Sequence, residues 1–413
     1  MDTTATAPGE LETRFDRDPS GAPDAASAPG SGPAGSTTRG PLIEGHADFE
    51  AIAAAWDDLW RRTPDATAFQ AHAWVSSWAR AYVRDGQLAV VTVWDGATLV
   101  AAAPLYRLRR GPVRALAPLG GPLSDSTDVL VDPTVPDAGA RLITALLGVP
   151  GWRVLDLPEV LPGSTAQEWT RAWPGRSRRS ASSLNLNLPV LPFPDMLARI
   201  PTKPAGKIRR KYNKIDRFDI VRTEVEAADV PAAVVELIRL HEAQWVGRRG
   251  NPEHLTQRFL TFFTGALQAM VAGGRAVLVE YRLAGRHMAT EVHLVGHRQL
   301  SYYLPGIDPE LRTHIDTSVL LVSRGLELAA RLGLPEYSFL RGDEDYKLHW
   351  RPEHVVAERI VLARPGVLGS AGFLPVTAAS SAVMGFARRV VSGRAREWAR
   401  TGMHRVRQLR ASD

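Results

Sequence analysis

Between Leu42 and Gly342 the chain passes twice through one order of elements, and this repetition limits the folds open to it. In the first pass Phe49, Ile52, Trp56 and Leu59–Trp60 recur at helical spacing, as do Trp74, Trp78 and Tyr82, so residues 47–84 read as helices. LAVVTVWDGATLVAAAPLYRLRR reads as a hairpin turning at Asp95-Gly96. Short strands in ALAPLGGPLSDSTDVLVDP follow, then a helix ARLITALLG ended by Gly148 and a strand WRVLDLP. The second pass opens with a strand from Asp219. PAAVVELIRLHEAQW is a helix with Pro231 at its start and Val234, Leu237, Ile238, His241 and Trp245 on one face. A helix over 254–271, a hairpin turning at Ala284-Gly285, a strand QLSYYLPG, a helix stopped by Gly333 and a strand EYSFLRG complete it. The reading is two copies of one α/β unit joined near residues 160–200, with domains over 41–190 and 191–365.

The remaining segments differ in kind. Residues 1–40 are Ala, Gly, Pro, Ser and Thr with scattered charge; they bury too little apolar surface to offset chain entropy and read as a disordered tail. Residues 366–413 read as a basic, partly helical tail. No apolar run reaches membrane-spanning length, and the N-terminal stretch lacks the basic and apolar regions of a secretory signal. With no cysteine, disulfides, thiolate metal sites and cysteine nucleophiles are excluded, and the expected location is cytoplasmic. The preference for Ala, Arg, Gly and Pro points to a GC-rich bacterial source. His, Asp and Glu spacings fit no metal-ligand pattern, so no metal is expected.

The net charge of +6 is unevenly placed. Residues 385–413 hold eight arginines against Glu397 and Asp413, and residues 203–217 hold seven cations against Asp216. Such patches suit phosphate groups, RNA or an anionic membrane surface, or they are solvated helix faces. In KPAGKIRRKYNKIDR, Ile208, Tyr212 and Ile215 form an apolar stripe flanked by Lys207, Lys211 and Lys214, which reads as an amphipathic helix with a basic outer face. Only one of the five lysines lies elsewhere, Lys347 in RGDEDYKLHW. A chain that writes nearly every cation as arginine keeps a compact point charge there, either for a site too narrow for a guanidinium or to close the acidic turn 342–345 by an ion pair.

The second half resembles the GNAT-like acetyltransferase domain of the CelD/BcsL group. The residues that carry this are Leu240-His241…Trp245, Ser301-Tyr302-Tyr303…Gly306…Asp308 and, above all, Phe339-Leu340-Arg341-Gly342-Asp343-Glu344…Tyr346-Lys347…Trp350. The first half matches through Pro104-Leu105 and Pro118-Leu119-Gly120…Asp125…Asp128, so the resemblance covers roughly residues 42–362. It implies an α/β fold of two tandem GNAT-like domains, mixed central sheets flanked by helices, as in the Fem peptidyltransferases. Those have a similar aromatic–lysine pair and use aminoacyl-tRNA instead of acyl-CoA.

N-acylation needs a base for the acceptor's proton, donors for the oxyanion and cations or N–H groups for the donor's phosphates. Glu291 and His293, two apart on a strand, share one face and are the base candidates, or else a hydrogen-bonded couple. Tyr302 and Tyr303 are expected on opposite faces, with Tyr303 the candidate hydroxyl donor and Lys347 the fourth catalytic candidate. His241, Trp245, Asp308, Asp343, Glu344 and Tyr346 are the candidates for substrate binding. Arg312, Thr317 and Ser318 are the candidates for holding the co-substrate, although loop 312–318 lacks the glycine-bearing turn of acyl-CoA-binding relatives and Asp316 reads as a helix N-cap.

The expected activity is transfer of an acyl group from acetyl-CoA or another acyl-CoA to an amine or hydroxyl of a small molecule, sugar or cell-envelope precursor. The alternatives are Fem-like transfer from aminoacyl-tRNA, which would engage the basic patches, and a non-catalytic accessory role in polysaccharide biosynthesis or export through the Arg-rich tail. That tail, with Phe386, Val390, Trp398 and Val406 among its arginines, is also a candidate for an anionic membrane surface.

Overall fold

A computed structural model describes residues 41–245 and 251–366, with Ala371, Phe373 and Thr377 beyond. The tail readings for 1–40 and 385–413, and the side chain of Trp245, lie outside the described residues. The strands are β1 (Leu42–Ile43), β2 (Val90–Asp95), β3 (Thr98–Ala103), β4 (Leu105–Arg110), β5 (Val113–Pro118), β6 (Leu130–Val131) and β7 (Val154–Val160) in the first half. Then come β8 (Ser177–Pro189), β9 (Ile220–Glu224), β10 (Ala276–Leu283), β11 (Arg286–Val295), β12 (Gln299–Ile307), β13 (Glu336–Arg341) and β14 (Glu353–Ala363). The helices are α1 (His46–Glu50), α2 (Ala53–Arg62), α3 (His72–Tyr82), α4 (Ala138–Gly148), α5 (Thr165–Ala172) and α6 (Phe193–Ala198), followed by α7 (Thr202–Ile215), α8 (Val230–Trp245), α9 (Gln257–Ala272), α10 (Leu311–His314), α11 (Thr317–Arg331) and α12 (Asp345–Leu348). No helix among the described residues is long and apolar enough to cross a membrane.

The first-half hairpin needs one correction. β2 and β3 do turn at Asp95-Gly96, with Gly96 at φ +56°, the left-handed conformation such a turn requires. At Pro104, however, the chain leaves that sheet, because proline has no N–H to extend the ladder. Leu105–Arg110 pairs with β5 instead. The result is a four-stranded sheet β1-β2-β3-β6 and a ten-stranded sheet β4-β5-β7-β14-β8-β13-β12-β11-β10-β9.

The repeated unit is visible in this sheet as a pair of splayed strands. β12 and β13 run parallel and pair only from Gln299–Ser301 to Glu336–Ser338; β5 and β7 run parallel and pair only at Ala115–Leu116 with Val154–Leu155. Each pair then opens next to a non-glycine residue in the left-handed region, Leu340 at φ 59° in β13 and Glu159 at φ 55° in β7. The joint between the halves is a strand exchange. β8 follows the first half in sequence yet pairs with β13, while β14 follows the second half yet pairs with β7, and the two lie antiparallel to each other.

Packing also crosses the halves. Trp56, Trp74 and Trp78 from α2 and α3 share one core with Phe259, Phe262 and Phe263 from α9, and Trp74 meets Phe262 edge-on at 4.9 Å between centroids. On the other side of the second half, Ile208 and Ile215 of α7 and much of α11 pack with Tyr302, Tyr337 and Trp350. The predicted stripe of α7 thus faces inward, with Tyr212 only partly covered. Gly306 sets the spacing between α8 and β12, since a Cβ there would collide with the carbonyl oxygen of Leu237 and press on His241 N. Gly306→Ala should therefore lower stability by about 1–3 kcal/mol. Thermal unfolding checks this, and an unchanged melting temperature would show that α8 is free to shift.

Candidate functional site

The split between β12 and β13 opens into a cavity of about 570 Å³. Its β12 wall carries Tyr302, Tyr303, Leu304, Pro305 and Ile307; its β13 wall carries Phe339, Leu340 and Arg341, continued by Glu344, Tyr346 and Lys347. Arg312 and the first turn of α11, with Thr317 and Ser318, close one end. His241, Gln244, Asn251 and His254 line it from α8 and the turn before α9, and Asp125 enters from the first half.

The two tyrosines reach this cavity together because the ladder slips. Val292 pairs with Leu304 but His293 pairs with Tyr302, so Tyr303 is the extra residue of a bulge. Tyr302 packs at 5.8 Å from His293 and 6.5 Å from Tyr337; Tyr303 packs at 5.2 Å from Trp74 and donates its hydroxyl to Leu123 O at 2.9 Å. Burial pushes both phenols well above their ordinary range, with Tyr346 adding to the effect at Tyr302 and Asp125 at Tyr303. Both stay protonated at neutral pH and act as O–H groups.

Arg341 ties the cavity wall to the first half. Its Nε lies 2.6 Å from Asp125 Oδ1 and its Nη1 lies 3.7 Å from Glu159 Oε1; Nη2 donates to Pro122 O. All three partners belong to the first half. Burial raises the carboxyl of Asp125 above the usual range, and the Arg341 guanidinium offsets part of that. Lys347 sits behind this residue. Its side chain is 5% exposed, its Nζ lies 2.8 Å from Glu344 Oε2, and it donates to Arg341 O at 3.0 Å. The isolated lysine therefore both faces the cavity and ties the turn after β13, the two tasks a compact ammonium suits.

At the other end, Asp316 caps α11. Its Oδ1 accepts Val319 N–H at 3.0 Å and Ser318 O–H at 2.6 Å, while Oδ2 meets Lys211 Nζ at 2.5 Å. Burial works against this charge, but Lys211, Ser318 and Val319 together hold the carboxyl below its ordinary range. The basic helix α7 thus supplies a counter-ion to the cap. The first-turn N–H groups of α11 have no partner within the helix, and Arg312 stands beside them at the cavity wall.

Several candidates fall elsewhere. Glu291 and His293 are fully buried beneath Tyr302 and do not line the cavity. Tyr281 O–H donates to Glu291 Oε1 at 2.5 Å, and His293 Nε2 lies 3.1 Å from the same oxygen. β11 is an interior strand covered on both faces, so its inward side chains end in the core. Asp308 takes Glu310 N–H at 2.9 Å and faces Arg286 at 3.5 Å, closing the turn after β12, and Asp343 is exposed. Conversely, His254, Arg341 and Asn251 line the cavity without having been singled out; the only sequence signal was Arg341's place in the Phe339–Trp350 pattern. Among the described residues no cluster of His, Asp and Glu is arranged to hold a metal ion.

Residues 203–348 match the model of the acetyltransferase (GNAT) domain. No curated protein sequence matches the chain. Among solved structures, FemX is similar over 75% of this chain and 95% of its own, at 10% identity and a TM-score of 0.55. L-PGS from Bacillus licheniformis is similar over 82% of this chain and 97% of its own, at 11% identity and a TM-score of 0.49. A tandem GNAT protein from the clavulanic acid biosynthesis pathway covers 79% of this chain and 98% of its own, at 15% identity and a TM-score of 0.39. Apart from Asp125, the lining of the cavity between β12 and β13 thus falls in the segment that matches the GNAT acetyltransferase domain, within a mixed α/β fold of two GNAT-like units.

Proposed function

We propose that this cavity is the active centre of an acyltransferase that moves an acyl group from acyl-CoA to an amine or hydroxyl of a small molecule, sugar or cell-envelope precursor. The observation that carries the reading is the split itself. Beyond Ser301, β12 has no strand partner on its β13 side, so an extended donor arm carrying amides can add to that edge as another strand would. The donor's phosphates then fall towards Arg312, Thr317 and Ser318, and its acyl carbon towards Tyr302, Tyr303 and Lys347. Lys347, held by Glu344 and Arg341 O, contributes positive charge where an oxyanion develops, and the protonated Tyr302 supplies a neutral donor, the Tyr303 hydroxyl being committed to Leu123 O. The acceptor enters on the side of Asp125, His241 and His254. We assign the two GNAT-like units to residues 41–190 and 191–365, and the CelD/BcsL resemblance rests on the turn Gly342–Glu344 with Tyr346, Lys347 and Trp350.

Transfer from aminoacyl-tRNA is the second reading, and one observation favours it. The basic helix α7 reaches the capped end of α11 through Lys211, so a polyanion lying on α7 would come up to the donor end of the cavity.

Two measurements separate these readings. Millimolar acetyl-CoA, at about 100 times its dissociation constant, should stabilise the protein by about 2.7 kcal/mol and raise its melting temperature by a few degrees. No shift with acetyl-CoA, together with salt-dependent binding of aminoacyl-tRNA, would move the donor to the second reading. Lys347→Met should cut turnover by about 100-fold or more, because it removes positive charge from the oxyanion and frees the turn after β13. Lys347→Arg should also fall at least tenfold; undiminished turnover in that variant would reduce Lys347 to a structural ion pair.

A further inference from the structure

The acceptor end of the cavity carries two linked histidines, His241 on α8 and His254 in the turn before α9. Their rings lie 5.3 Å apart, and Phe259 of α9 packs on His254 at 4.8 Å. The hydrogen bonds among the described residues suit one placement of the protons. Asn251 Oδ1 accepts Glu253 N–H at 3.1 Å, so the atom that meets His254 Nε2 at 3.3 Å is the amide nitrogen, which only donates. His254 Nε2 therefore holds a lone pair and its Nδ1 the hydrogen. That hydrogen points at His241 Nε2, 3.4 Å away. His241 Nδ1 in turn donates to Pro305 O at 2.9 Å, which independently leaves His241 Nε2 as an acceptor. Reading from Asn251 inward and from Pro305 outward gives the same pair of tautomers.

We propose that His254 Nε2 is the general base of the acyl transfer and that His241 is the positioning residue that holds it in the required tautomer. The inference rests on the acyltransfer reading of the cavity. The acceptor displaces the Asn251 amide from His254 Nε2. Its nitrogen or oxygen then bonds to the acyl carbon while its proton passes to Nε2. On collapse, the bond from the acyl carbon to the donor's sulfur or oxygen breaks. That atom leaves with the electron pair and takes the proton back from the imidazolium, so the imidazole ends neutral.

Burial, and then the neighbouring His241, lower His254 to about 4, with Glu253 opposing; burial likewise lowers His241. Among the described residues the titratable groups around His254 are His241 on α8 and Glu253 in its own turn, the latter engaged by Tyr82 and Arg258; α9 presents the apolar Phe259. Both imidazoles are uncharged at neutral pH and can take a proton, and at about 4 His254 is a weaker base than an ordinary imidazole. The sign for stability follows. The folded value lies below the unfolded one, so the unfolded chain takes up the proton first as pH falls below about 6.5. Stability should decline from there until about pH 4, and His254→Gln should flatten part of that slope.

The test uses the full chain, acetyl-CoA as donor, and ethanolamine and glucosamine as acceptor probes, reading thiol release. His254→Gln should lower kcat about 100-fold with KM for acetyl-CoA unchanged, and imidazole in the buffer should restore part of the rate to His254→Ala. His241→Gln should keep most of the donor affinity but move the acid limb of the pH–rate profile upward, because an amide replaces the imidazole that lowers His254. Full turnover in His254→Gln would overturn the proposal. Nitrogen-15 NMR of the histidine rings stands apart from turnover, with His254 assigned by its loss in His254→Gln. A proton on Nδ1 of both rings supports the arrangement, and a proton on Nε2 of His254 overturns it whether or not an acceptor has been found. Failure of the wild type to release thiol with either probe or to bind acetyl-CoA counts instead against the donor reading, leaving the NMR result to decide the tautomer.

Discussion

The site depends on one residue being held in a conformation it would not choose. Leu340 sits at φ 59°, which costs a side chain with a Cβ on the order of 1–2 kcal/mol. The turn at this residue takes β13 away from β12 and so creates the cavity. The surroundings hold it in place: Leu340 N–H goes to Ser338 Oγ at 3.1 Å, Gly342 N–H to Leu184 O at 3.1 Å, and Arg341 is gripped by Asp125 and by Lys347 on its carbonyl. The Arg341–Asp125 pair matters most because it is part-buried. Removing Arg341 would leave the Asp125 carboxyl without its counter-ion, a loss that solvent screens in part because the Arg341 side chain is 34% exposed. The second unit's cavity is therefore kept open by a carboxylate from the first unit, and the GNAT domain taken alone would lack that hold.

Charge around the cavity is organised as balanced pairs. Lys211 offsets Asp316, Lys347 offsets Glu344, and Arg341 faces both Asp125 and Glu159. Between these pairs stand neutral donors and acceptors: two phenols kept protonated by burial and two imidazoles kept unprotonated by the same cause. Such a cavity presents local fields without a large net charge. This suits a reaction in which charge develops on the substrate rather than residing on the protein.

Much of this architecture was legible in the sequence, and the omissions have physical causes. The doubled order of elements survived because helical and strand periodicities are local. α7 and the β10–β11 hairpin fell where Ile208 and Ile215 and Ala284-Gly285 put them, and α9 fell within three residues of the expected 254–271. β8 and β14 were not read as strands, although Leu184, Leu186 and Leu188 alternate with asparagines in β8. Their partners are in the opposite half, so no local turn or hairpin marks them. The break at Pro104 was hidden by an apolar run that continues across it. Glu291 and His293 were rightly seen to share a strand face, but which face meets the cavity depends on the layer of α7 and α11, which no local pattern encodes. His254 was missed because an imidazole in a short polar turn gains meaning only from His241, packed on another helix.

The exchange of β8 and β14 also sets the order in which the molecule can be completed. As the chain is synthesised, β7 and β8 are made long before the strand that belongs between them. Until Glu353–Ala363 arrives, each presents an unsatisfied row of N–H and C=O groups, and β8 has only its β13 neighbour to await as well. The middle of the sheet is thus the last part to close, through contacts separated by about two hundred residues, such as Leu362 with Leu155. Folding intermediates of this protein should expose an open central seam rather than loose ends, and that seam is where association with a second nascent chain would begin.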